Sequence, residues 1–195
     1  MLNQIARAKL PPGDPTRLHL QNSAISSACS DLLQVFDPVD HALDAMQKSN
    51  CTLSESVEIW LKLRQKVPKF AGGYNLVHER SLQALECPFF LLANVLDHRY
   101  AGKNLSPEEV SKAREFASSL GPEVGTALTL YLARTSPFAE ALFADTGDPN
   151  SWWRAGQVSG FPEPLVSVAL RLCACLASSA NLERNFSTMG DASQS

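Results

Sequence analysis

The sequence predicts a mainly α-helical protein. Apolar residues recur at helical i, i+3, i+4, i+7 spacing along most of the chain. Helix-start signals, either Ser/Thr-x-x-Glu or a polar residue before proline, recur beside those stripes. Alternating apolar and polar segments, the mark of a half-buried strand, are nearly absent. At 195 residues the chain is long enough to bury one good core, or a core with a helical extension, without disulfides or metals as staples.

Taken in order, Pro11-Pro12-Gly13-Asp14-Pro15 cannot continue a helix, so residues 1–15 are expected to form a flexible arm and the ordered body to begin near Thr16. Asp37-Pro38 sets a capping acceptor before a first-turn proline, and Val39, Leu43 and Met46 follow as a stripe, which predicts a helix running to about Ser49. Thr52-Leu53-Ser54-Glu55 is a capping box, followed by Leu53, Val57, Trp60 or Leu61 and the stem of Arg64 on one face until Pro68. The short link between these two helices implies antiparallel neighbours. Ala71-Gly72-Gly73 breaks the chain, and a moderately amphipathic helix over 74–86 leads to Pro88.

Residues 89–96 are almost continuously apolar, and the leading proline with Leu, Ala and Asn content favours helix over strand; Phe89 and Phe90 are expected to pack inside. Ser106-Pro107-Glu108-Glu109 combines a capping box with a first-turn proline. Val110, Ala113, Ala117 and Leu120 then form a stripe that Gly121-Pro122 closes. A helix over 122–134 shows Val124, Leu128 and Tyr131 or Leu132 on one face, and Ser136-Pro137 and Asp148-Pro149 each restart the chain. The segment 164–177 carries Leu165, Val168, Leu172, Cys175 and Leu176 with only Arg171 charged, so it must be covered by the fold or by a partner. After Ser178-Ser179 a further helix is expected, with Glu183 in its first turn and Leu182, Phe186 and Met189 along one face. No window recurs with the same anchors, so a helical-repeat architecture lacks its sequence signature.

Composition narrows the function classes. The formal charge is −3, from 17 basic and 20 acidic residues, and no basic stripe is present for phosphate contacts, which disfavours direct DNA binding. Five cysteines (Cys29, Cys51, Cys87, Cys173, Cys175) are odd in number and widely spread, as expected of free thiols in a reducing compartment. In a helix Cys173 and Cys175 point about 200° apart, a poor geometry for sharing zinc. His19, His41, His78 and His98 show no ligand-pair spacing, and no Gly-x-Ser-x-Gly is present, which disfavours an independent hydrolase. The amino terminus lacks a secretory apolar core and no stretch reaches the roughly 20 apolar residues of a membrane span, so the expectation is a soluble intracellular protein without membrane partners.

One constellation is more specific. Trp152-Trp153, Phe161-Pro162, the apolar run from Leu165 to Leu176, and Ser178-x-x-x-x-Glu183-Arg184-x-Phe186-Ser187-x-x-Gly190 resemble the carboxyl-terminal dimerisation region of hAT-superfamily transposases and of host proteins derived from them. Upstream, Leu96-Asp97-His98-Arg99-Tyr100 resembles the "LDPRY" segment of that family, with His98 where proline is usual, and Val57-Glu58-Ile59-Trp60 resembles the helical stretch preceding it.

The resemblance implies a mainly α chain in which a helical insertion-like region is followed by the carboxyl-terminal part of a ribonuclease-H-like transposase fold. The implied division is an arm at 1–15, a region resembling the hAT insertion domain at 16–147, the dimerisation region at 148–190 and a tail at 191–195. Glu183 occupies the position of the third of three metal-binding carboxylates in the family. Two-metal phosphodiester chemistry needs the whole set, and only this one is matched. No catalytic activity and no cofactor are therefore expected of this chain, magnesium or manganese belonging to the intact family. As a plain first-turn acid, Glu183 would contribute about 0.3–1 kcal/mol through the helix dipole.

The function implied is dimerisation, with the chain itself or a related transposase-like protein as partner, in the nucleus by family. The expected interface anchors are Trp152, Trp153, Phe161, Leu172, Leu176 and Phe186, since a few large side chains dominate most interfaces. Adjacent tryptophans do not readily face one core, so one of the pair is expected at an interface or groove. Two alternatives stand beside this reading: part of an active DDE-type DNA transposase, and a generic helical adaptor whose last helices pack wholly inside.

Overall fold

The computed structural model describes residues 23–67, 74–139 and 147–177. Among them the chain forms α-helices and no strands. The helices are α1 (Ser23–Met46), α2 (Leu53–Lys66), α3 (Tyr74–Leu85), α4 (Pro88–Leu96), α5 (Pro107–Leu120), α6 (Pro122–Leu132), α7 (Pro149–Val158) and α8 (Glu163–Ala174).

The helix starts follow from local chemistry. In α2 the Thr52 hydroxyl accepts from the Glu55 N–H while the Glu55 carboxylate accepts from the Thr52 N–H, and Ser106 and Glu109 do the same for α5. Asp148 caps α7 by accepting from the Ser151 N–H, one position before Pro149.

The central element is α4. Leu91, Leu92, Ala93, Val95 and Leu96 are completely buried, and α2, α5 and α8 pack around it. Each leucine so enclosed stabilises the fold by about 1.5–3 kcal/mol relative to exposure. Val57 and Leu61 enter this core from α2, Ala113 and Ala117 from α5, Leu128 and Tyr131 from α6, and Leu165 and Val166 from α8. Small residues let α5 and α6 approach closely: a Cβ on Gly125 would lie 2.5 Å from the Ser118 hydroxyl oxygen.

A smaller cluster joins Val35, Val39, Ala42 and Met46 of α1 to Leu63, Val67 and Val77, with Trp60 bridging to the main core. Here the structure corrects two expectations. Pro38 does not start α1 but lies within it. A proline costs a helix one hydrogen bond, to the carbonyl four residues back, and that residue, Gln34, is exposed to water. The buried stripe also passes through Ala42 instead of Leu43, which is 48% exposed.

Other differences are smaller. Phe89 is at the surface beside Phe90, Leu120 is exposed at the end of α5, and Ser136-Pro137, a cis peptide, lies in a turn that delivers Phe138 to the core. The last described helix stops at Ala174, three residues early, because the chain turns extended there. Cys175 accepts from the Leu53 N–H (3.1 Å) and Ala177 donates to the Cys51 carbonyl (2.8 Å), so Leu176 lies antiparallel beside Thr52.

Candidate functional site

The geometry that organises the carboxyl-terminal part begins with α7 and α8. Helix α7 places Trp152 and Trp153 one step apart, about 100° around its axis, and both reach the same core. Trp153 is fully buried and Trp152 is 8% exposed. The expectation that one would lie at a surface groove is therefore corrected, and neither indole is available at the surface as an interface anchor.

The reason is that residues 96–98 supply partners for both rings. The Trp153 Nε1–H donates to the Leu96 carbonyl at 2.7 Å, which satisfies its polar edge inside an apolar core. Trp152 stacks on the buried imidazole of His98, ring centroids 4.9 Å apart and 2° from parallel. Phe161, half-buried, closes the aromatic group at 4.5 Å from Phe138 and 5.4 Å from Trp152. Its ring lies on Gly156, where an added Cβ would meet it at 2.1 Å.

Beneath the aromatic group lies a buried polar network that anchors the Leu96-to-Tyr100 segment to α2. Asp97 is completely buried; its Oδ2 accepts from the Ser54 hydroxyl (2.6 Å) and from Arg99 Nη2 (2.7 Å), and its Oδ1 from Arg99 Nε (2.9 Å). This bidentate pairing raises the guanidinium above its ordinary pKa and keeps it charged. Arg99 also reaches Glu55 at 3.3 Å. Next to it Glu58, 3% exposed, accepts from Asn94 (3.0 Å) and from Asn104 (2.8 Å). These side chains hold α2, α4 and the loop after α4 in one arrangement. None of Ser54, Glu58, Asn94 or Asn104 was expected as a site residue, because their partners lie tens of positions away.

The residues that face outward are different ones. Leu176 is 52% exposed and Val158 91% exposed, while Leu172 is half-buried. Glu183 and Phe186 lie outside the described residues, as does the arm at 1–15. Cys173 is buried and Cys175 exposed, so the two thiols face apart; burial, aided by the Asp97 charge, pushes the Cys173 thiol up to about 12 and keeps it neutral. Among the described residues no group of three or more His, Cys, Asp or Glu side chains is placed to hold a metal ion. The described residues therefore do not fit a two-metal centre. No described helix is long and apolar enough to cross a membrane.

No curated protein and no solved structure matches the chain. Residues 127–194 match the hAT family C-terminal dimerisation region. The match takes in the end of α6, all of α7 and α8, and the aromatic group they build. Residues 127–194 of the chain are thus similar to an hAT family C-terminal dimerisation region.

Proposed function

We propose that the protein acts by association, with a second copy of itself or a related transposase-like chain, and has no catalytic activity of its own. The observation that carries this reading is the match of residues 127–194 to a dimerisation region. The exposure of Leu176, immediately after α8, supports it. Leu172, Leu176 and Phe161 serve as the partner-facing anchors. Trp152 and Trp153 act from beneath, as a rigid support that fixes the shape of that surface. The family's ribonuclease-H-like arrangement, the division at residue 148 and a nuclear location go with this reading as proposals, and Glu183 has no catalytic role in it.

The test is the mass of the full chain at micromolar concentration by light scattering. Association is expected for the native chain and should weaken by about tenfold or more in Leu176→Asp, since a buried charge in an interface core is strongly unfavourable. A strictly monomeric native chain would overturn the reading, as would Mg- or Mn-dependent DNA cleavage by the purified chain.

A further inference from the structure

We propose a second self-association surface on α1, outside the family region, in which the outer faces of two copies of α1 pack as a short coiled coil. Ile25, Cys29, Leu32, Phe36, Val39 and Leu43 follow one another at alternating spacings of four and three, and Met46 completes the series. That 3.5-residue period is the one that keeps an apolar seam facing a second helix.

Much of the seam is bare. Ile25 is 41% exposed, Leu32 56%, Phe36 61% and Leu43 48%. The body contacts a different stripe of the helix, Val35 and Ala42 with part of Val39 and Met46, and only in its second half. Toward the amino end, the residues from Ser30 through Gln34 are all exposed. A helical stretch of about three turns without packing is marginal in water, so its apolar face calls for a cover.

A second copy is the occupant that fits. A seam of this period is self-complementary about a two-fold axis. On the flank away from the body sits Leu33, which widens the apolar contact, and Asp40 is the charged residue there. Asp31, Asp37 and Asp44 fall on positions turned from the seam, as does Pro38, so neither like charge nor the missing N–H disrupts the contact. The carboxyl end of the seam also comes beside a residue of the matched stretch. Leu43 and Met46 line a groove of about 630 Å³ together with Trp60, Phe90 and Ala177, the last of these belonging to the family match.

The experiment uses the full chain and follows its association by sedimentation at micromolar concentration. Leu32→Asp with Phe36→Asp should weaken association by about tenfold or more. Leu32→Ala with Phe36→Ala, which preserves helix propensity, should weaken it in the same direction with unchanged circular dichroism. The inference is overturned if both pairs self-associate like the native chain. It is also overturned if the native chain is monomeric at that concentration, and protection of amides 25–36 from hydrogen exchange in such a monomer would put another segment of the same chain on the seam. Leu176→Asp separates the two readings. Loss of association there, with none in the seam variants, leaves the carboxyl-terminal reading standing and removes this one; the opposite pattern does the reverse.

Discussion

The imidazole of His98 lies flat on the indole of Trp152, with centroids 4.9 Å apart, while Trp153 donates its N–H to the carbonyl of Leu96 two residues earlier. Two neighbours in α7 thus grip one short segment at the end of α4 from different sides. The position of α7, and through it of the surface that follows, is set by that grip.

Trp153→Phe removes the hydrogen bond and leaves the buried Leu96 carbonyl short of a partner. The expected loss is about 1–3 kcal/mol of unfolding free energy, and Trp153→Ala should cost about 3–5 kcal/mol through the added cavity. Urea titration reads both values. A loss for Trp153→Phe within experimental error of zero would show that the bond does not stabilise the fold.

Gly156 is small because Phe161 lies on it. In Gly156→Ala the new methyl must displace the ring from its contacts with Phe138 and Trp152, an overpacking that costs about 1–3 kcal/mol. Gly156→Ala combined with Phe161→Leu should lose less than the two single changes added, since they share one space. Thermal melts of the four proteins in the cycle provide the check.

Arg99 neutralises a carboxylate that has no access to water. Arg99→Met leaves Asp97 with the Ser54 hydroxyl and its backbone donor from Arg99, a loss of about 3 kcal/mol. Adding Asp97→Asn to Arg99→Met removes the stranded charge and should restore part of it. Denaturant midpoints that simply add would contradict the coupling.

Asp148 has a lowered pKa, mainly because its carboxylate accepts the Ser151 N–H at the start of α7. A lowered folded pKa means the cap's stabilisation is complete above the ordinary value of 3.8 and fades as pH falls through the folded value. Because the side chain is exposed, the effect is small, about 1 kcal/mol or less. Asp148→Asn keeps a capping acceptor and should flatten this acid dependence, measurable as stability between pH 5 and pH 2 against the native chain.

What could be read from the sequence was local. Thr52 with Glu55 and Ser106 with Glu109 name their own helix starts three residues apart, and the structure has both. Pro38 was misleading for the same reason: a proline after an aspartate is a start signal, yet α1 runs on through it from Ser23. Reading a start there hid the four-three seam upstream, which the spacing of Ile25, Cys29, Leu32 and Phe36 could have revealed. The end of α8 depended on a pairing with Cys51 and Leu53, more than a hundred positions away, that no helical period encodes. The Asp97 and Glu58 network was likewise invisible, because a buried acid becomes recognisable only when its distant donors are known.

The match to residues 127–194 covers barely half of the main core's contributors. Leu165 and Val166 in α8 share that core with Leu91, Leu92 and Val95 in α4, and the strand-like strip after α8 is stitched to the residues opening α2. A protein cut or recombined at residue 127 would split an oil-filled interior, not separate two independent parts. The matched residues of α6, α7 and α8 therefore depend on the helices before them, and a fusion that borrows only the last third would carry an unmatched greasy flank in place of a working module.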